Sequence, residues 1–151
     1  MTVNSLSAAR TLCELRDWKL SNLELQKLLY LAEMYNLGMY GEPLIDGEFE
    51  AWDYGPVSPD VYARARGFGS GPIPNVFHWV SEVPASSSEY AMLKEIAAQA
   101  KRFTAGQLVN ITHWSSGAWA KFYKPGIHGI RIPKSAIRQE YLDRTEKQQA
   151  G

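Results

Sequence analysis

Asp46, Glu48, Glu50 and Asp53 put four carboxylates within eight positions, the densest acid cluster in this chain. Two carboxylates about 5 to 9.5 Å apart can serve as acid and base on a glycosidic bond. The residues around them read as a strand, in which Glu48 and Glu50 point to one face and Asp53 to the other, so such a pair forms only if a turn breaks the alternation. A solvated acidic edge that discourages strand pairing, or an acidic binding strip, needs no such distortion. His78, His113 and His128 are 35 and 15 positions apart, and no Cys or second His stands at the close spacing that zinc sites use. Cys13 is the single cysteine and lies among Ala9, Leu12 and Leu15 on a helical pattern, which describes a buried thiol. Gly67, Gly69 and Gly71 superficially suggest a phosphate loop. They follow a helical pattern, lack the Lys-Ser/Thr of a P-loop and end at Pro72, so they read as a flexible turn. These residue types predict no metal, no cofactor and no bond-making centre.

The elements that position them are legible from their boundaries. Ser21 with Glu24, and Thr104 with Gln107, are capping boxes, with Leu20 and Leu25, and Phe103 and Leu108, at the staple positions. Ser58 before Pro59 and Asp60 gives an N-cap, a proline at the first helical position and an early acid; Ser86 with Glu89 offers a fourth start. The pattern predicts helices near 5–16, 22–38, 59–66, 87–103, 105–113, 116–122 and 134–146. The helix from Asn22 is apolar or aromatic on nearly every side, as expected of a central helix, and Gly38 or Gly41 can end it. Phe49 to Tyr54 favours a strand, bounded by Asp46-Gly47 and Gly55-Pro56, with Gly129 to Ile132 as its partner. The fold class expected is mainly α (α+β): a compact single-domain helical bundle around a central apolar helix, with a small two-stranded β element.

Composition is that of a soluble domain. At 151 residues, 45% hydrophobic and 21% charged, the chain fits one core. No apolar run approaches the ~18 residues of a membrane span, and the start has no signal-peptide pattern, so a cytoplasmic protein without a membrane partner is expected. The domain is expected over 1–146, with a polar frayed tail at 147–151. A net charge of zero argues against a dedicated nucleic-acid binder. Between Glu14 and Asp60 stand ten acids and three bases, whereas between Lys94 and Arg138 stand eight bases and one acid. Either the two segments lie side by side and partly neutralise, or they form a two-faced surface that steers a charged partner. Trp52, Tyr54, Tyr62, Trp79, Trp114, Trp119 and Tyr123 are expected mostly in the core, with one or two exposed as interface anchors.

Across residues 25–62 the pattern LQKLLYLAEMYNLGMYGEPLIDGEFEAWDYGPVSPDVY resembles the signature of the Panacea domain, or SocA-like antitoxin domain. The shared parts are a Leu-Gln-Lys-Leu-Leu-Tyr helix, a Gly-x-Pro-Leu turn and a Trp-x-Tyr-Gly-Pro-Val strand end, in that order. Gly71 to Pro74 and Thr112 to Trp119 agree more loosely. The resemblance implies an antitoxin of bacterial or phage toxin–antitoxin pairs, which neutralises a cognate toxin protein by direct binding. A proteolytic adaptor that hands the toxin to an ATP-dependent protease, and a nucleic-acid-binding regulator, are the alternatives. On this reading the acidic strip is the expected protein-binding site, comprising Glu48, Glu50, Trp52, Asp53 and Tyr54 with Tyr62 on the next helix.

Overall fold

The computed structural model describes residues 2–150, with side chains through residue 146; Met1 and Gly151 lie outside the described residues. Of the tail expected at 147–151, the side chains and Gly151 thus lie outside what is described.

Among the described residues the chain forms seven helices and three short strands, a mainly α fold with a small β element. In chain order these are α1 (Ser5–Leu15), α2 (Asn22–Tyr40), β1 (Phe49–Trp52), β2 (Gly55–Val57), α3 (Pro59–Ala65), α4 (Ser88–Ala100), α5 (Ala105–Thr112), α6 (Ala118–Phe122), β3 (Arg131–Ile132) and α7 (Lys134–Ala150). Both capping boxes form as the sequence predicts. Gly41, at φ 72°, ends α2 in the left-handed conformation that glycine adopts without steric cost. Gly38 instead lies inside α2 against the Tyr141 ring, which a Cβ there would overlap. The fourth start is displaced by one residue. Ser87, not Ser86, accepts from the Tyr90 amide at 3.1 Å, and the Glu89 carboxylate takes the Ser88 hydroxyl instead.

α2 is the hub, in contact with α1, α3, α4, α5, α7 and β2. Leu25, Leu28, Leu29, Tyr30 and Ala32 are wholly inaccessible on it. An element enclosed on all sides needs apolar residues all round, which is why its sequence lacks a polar stripe. Cys13 is buried in α1, and burial, with Glu14 nearby, pushes its thiol up to about 12. It is inert as a nucleophile near neutral pH.

The β element has three strands instead of two, in the order β2-β1-β3. β1 pairs with β3 in the register Phe49↔Ile132 and Glu50↔Arg131, so the expected partner strand is present. The additional strand is β2, antiparallel to β1 with Trp52↔Gly55 and Glu50↔Val57. Gly55-Pro56, read from sequence as a stop, lies inside that strand. An edge strand tolerates Pro56 because one side of it needs no ladder donor, and Gly55 takes φ 116° to turn the chain after Asp53 and Tyr54.

The expectation that the large aromatics lie mostly in the core is corrected. Tyr30, Phe49 and Phe77 fill the interior, whereas Trp52, Tyr62, Trp114, Trp119 and Tyr123 are half-buried and Tyr54 and Trp79 are exposed. Their polar ends explain the placement: an indole N–H or phenol O–H is best served near the surface, with the ring packed inward.

Candidate functional site

The β1–β2 turn is held by side chains from several other elements. From α2, Gln26 grips the backbone of Ser58: its Oε1 accepts the Ser58 amide at 2.8 Å and its Nε2 donates to the Ser58 carbonyl at 3.4 Å. The Ser58 hydroxyl makes no cap bond to α3 and is buried without a partner among the described residues. One residue on, the Lys27 ammonium donates to the Tyr54 carbonyl. Lys27 is wholly inaccessible, and burial draws its pKa down to about 8. From α6, Trp119 Nε1 donates to the Trp52 carbonyl at 2.6 Å. Just beyond α6, the Tyr123 hydroxyl donates to Asp53 Oδ1 at 2.6 Å. That bond is the first cause of a phenol pKa raised above its ordinary value.

These gripping groups are stacked on one another. The His113 ring, at the end of α5, lies parallel to Trp119 with centroids 4.0 Å apart, and Tyr123 covers the same indole at 4.7 Å. A Cβ at Gly55 would overlap the Lys27 ammonium and press on the His113 ring, so only glycine admits both groups. Every residue from Trp52 to Gly55 is thereby fixed from below or from the side.

The predicted site residues occupy one neighbourhood with unequal roles. Glu50 and Trp52 share the outer face of β1, where Trp52 Nε1 donates to Glu50 Oε1 at 2.9 Å. Tyr62 on α3 meets the Trp52 ring edge-on at 4.7 Å. Tyr54 projects from the turn with 72% of its surface exposed. Glu48 is exposed just before β1, and Asp53 is exposed but tied to Tyr123. Glu50 stands opposite Arg131 across the strands, and buried Glu33 pairs with Lys134. The acidic and basic segments therefore lie partly side by side, and the field of the strip is weaker than its four acids suggest. Sequence reasoning missed Gln26, Lys27, His113, Trp119 and Tyr123 as parts of this site. The one available signal was the adjacent Gln26 and Lys27 amid the apolar residues of a central helix.

Chemical alternatives find little here. Among the described residues no group of three or more His, Cys, Asp or Glu converges on a point. A cleft of about 480 Å³ lies among α2, α4, α5 and α7, lined by residues such as Leu28, Leu31, Phe103, Leu108 and Trp114. Its ionised lining group, Arg144, is committed to buried Glu140 at 2.7 Å and to the Ile111 carbonyl. No helix among the described residues is long and apolar enough to cross a membrane.

The profile of the family described as "Antitoxin SocA-like, Panacea domain" matches residues 25–120. The chain belongs to that family. A curated relative, "Antitoxin SocA" of Caulobacter vibrioides (strain NA1000 / CB15N), is 56% identical over 46 residues, which are 30% of this chain and 24% of that protein. The match therefore spans about a quarter of the relative's length. No solved structure matches. The Panacea signature acquires a physical meaning from the contacts above. Gln26 and Lys27 of its helix hydrogen-bond the backbone at Ser58 and Tyr54 in and just after its strand end, while Glu33 accepts the Leu44 amide at 2.5 Å in the Gly-x-Pro-Leu turn. Tyr30 donates to Glu140 at 2.7 Å and so ties the same helix to α7.

Proposed function

We propose that this chain is an antitoxin that binds a cognate toxin protein directly and holds it inactive, in the cytoplasm and without catalysis. Family membership supports the antitoxin role, and the braced β1–β2 turn supports binding as its means. A turn fixed before association loses little conformational freedom on binding, so more of the contact energy appears as affinity. Tyr54 is the anchor of this interface, an exposed aromatic on a rigid base, flanked by Trp52 and Tyr62. Their polar atoms are largely satisfied internally: Trp52 Nε1 by Glu50, and Asp53 by Tyr123. The partner then meets aromatic surface without leaving those groups unpaired. Glu48 adds a negative charge that steers a basic partner.

Binding kinetics of the toxin on immobilised antitoxin test the interface. Tyr54→Ala, exposed and outside the core, should melt like the wild type while weakening binding by more than about 1 kcal/mol, chiefly through faster dissociation. Glu48→Lys should slow association, and more so at low salt. Unaltered rates in both folded variants would move the interface away from the turn.

A further inference from the structure

Lys27 and His113 help to brace the β1–β2 turn, but bracing alone does not explain why two basic groups are buried side by side there. Lys27 is a fully inaccessible ammonium that donates to a neutral carbonyl, that of Tyr54. Beside it, His113 Nε2 is buried, with the Tyr54 carbonyl nearby but no partner at full hydrogen-bonding geometry among the described residues. The two converge on Gly55, one from α2 and one from the end of α5. A buried cation commonly has an anion to offset it, and among the described residues none acts on either group. The charged side chains of the elements packed around them are engaged elsewhere: Glu24 in its capping box, Glu33 with Lys134, Glu50 with Trp52, and Lys121 with Asp143. Asp53 is turned to Tyr123, and α5 carries no charged residue.

We infer that Lys27 and His113 are a proton-sensitive latch on the β1–β2 turn: protonation of His113 puts a second cation beside Lys27 beneath Tyr54 and Gly55 and releases the turn. At neutral pH the imidazole is uncharged and its ring serves as a flat support for Trp119. Burial is the main cause that lowers its pKa; the nearby Tyr54 carbonyl opposes this and Lys27 adds to it. In the released turn the ring regains water and its ordinary pKa near 6.5. The direction of the linkage follows. The closed turn is at full strength above pH 6.5 and weakens as the pH falls through the lowered value, because the released form then holds the extra proton. The latch is a property of the fold and does not depend on the partner being a toxin.

Hydrogen exchange followed by mass spectrometry, corrected for intrinsic exchange rates, reads the latch directly. In the wild type, opening of peptides spanning 50–58 should increase as the pH falls from 7 toward 5, by up to about tenfold per pH unit, the limit set by one proton. Core amides of α2 report whether the whole domain opens. His113→Phe keeps a ring against Trp119 but cannot be protonated, and should remove the dependence. Lys27→Met keeps the titrating ring but removes its cationic neighbour, and should reduce it. His113→Gln serves as a second non-titrating variant should the Phe ring fail to fit. A wild-type turn whose opening ignores pH, a non-titrating folded variant with the wild-type slope, or release only together with α2 would each overturn the inference.

Discussion

Glu140→Gln isolates one half of a buried junction. The Glu140 carboxylate is wholly inaccessible and divides its bonds by oxygen. Oε1 accepts from the Tyr30 hydroxyl at 2.7 Å and the Ala118 amide at 2.9 Å, whereas Oε2 accepts from Arg144 Nε at 2.8 Å. In the Gln variant the amide oxygen can keep both Oε1 bonds, but the amide NH₂ then faces a guanidinium that also donates. The loss is that of the ion pair. Removing one partner of a buried pair costs about 3 to 5 kcal/mol. Arg144 keeps the Ile111 carbonyl and the Trp114 face, and 23% of its side chain is exposed, which favours the lower figure. About 3 kcal/mol corresponds to a Tm lowered by about 6 to 12 °C at this chain length. Glu140→Ala additionally strands the Tyr30 hydroxyl and the Ala118 amide, at about 1 to 3 kcal/mol each. That total approaches the ~5 to 15 kcal/mol that holds a domain together, so the Ala variant should not fold. Thermal and urea unfolding followed by circular dichroism measure both. A Gln variant within about 1 kcal/mol of the wild type would refute the weight given to the pair, and an Ala variant as stable as Gln would refute the division of bonds.

Lys27 gives a second test, on the alkaline side. Its pKa is about 8 in the fold against 10.5 when free, so across that window the unfolded chain holds a proton that the folded chain lacks. Lys27 should therefore add about 3 kcal/mol to stability as pH rises from about 8 to 10.5, opposed above pH 9 by Cys13, whose thiol ionises first in the unfolded chain. Wild type should gain that amount relative to Lys27→Met over the window, and urea titrations giving parallel curves would contradict it. Leu29→Ala, at a site with no accessible surface, should lose about 2 to 5 kcal/mol in the same assay, and unchanged melting would remove α2 from the centre of the core.

Much of this architecture is legible in the sequence because its signals are local. Ser21 with Glu24 and Thr104 with Gln107 announce their helices through contacts three residues long, and the run after Asn22, apolar or aromatic on nearly every side, announces a buried one. β2 was illegible because Gly55 and Pro56 are breakers in most settings and acceptable only at a sheet edge, a fact about neighbours that the chain does not state. The depth of the aromatics was misjudged for a similar reason: Trp119 and Tyr123 look like core residues until the Trp52 carbonyl and the Asp53 carboxylate that receive their polar ends are in place. The acidic strip was found as a stretch of sequence. What braces it comes from α2, α5 and α6, up to 70 residues away, and only tertiary structure brings those together.

The central claim is tested most directly by co-expression with the protein encoded beside this chain's gene. The account predicts that the neighbour is lethal alone, that the wild-type chain restores growth and co-purifies with it, and that the folded Tyr54→Ala variant does so less well. A neighbour that stays lethal beside the folded wild-type chain would contradict that pairing. Growth restored without any complex between the two proteins would contradict neutralisation by direct binding.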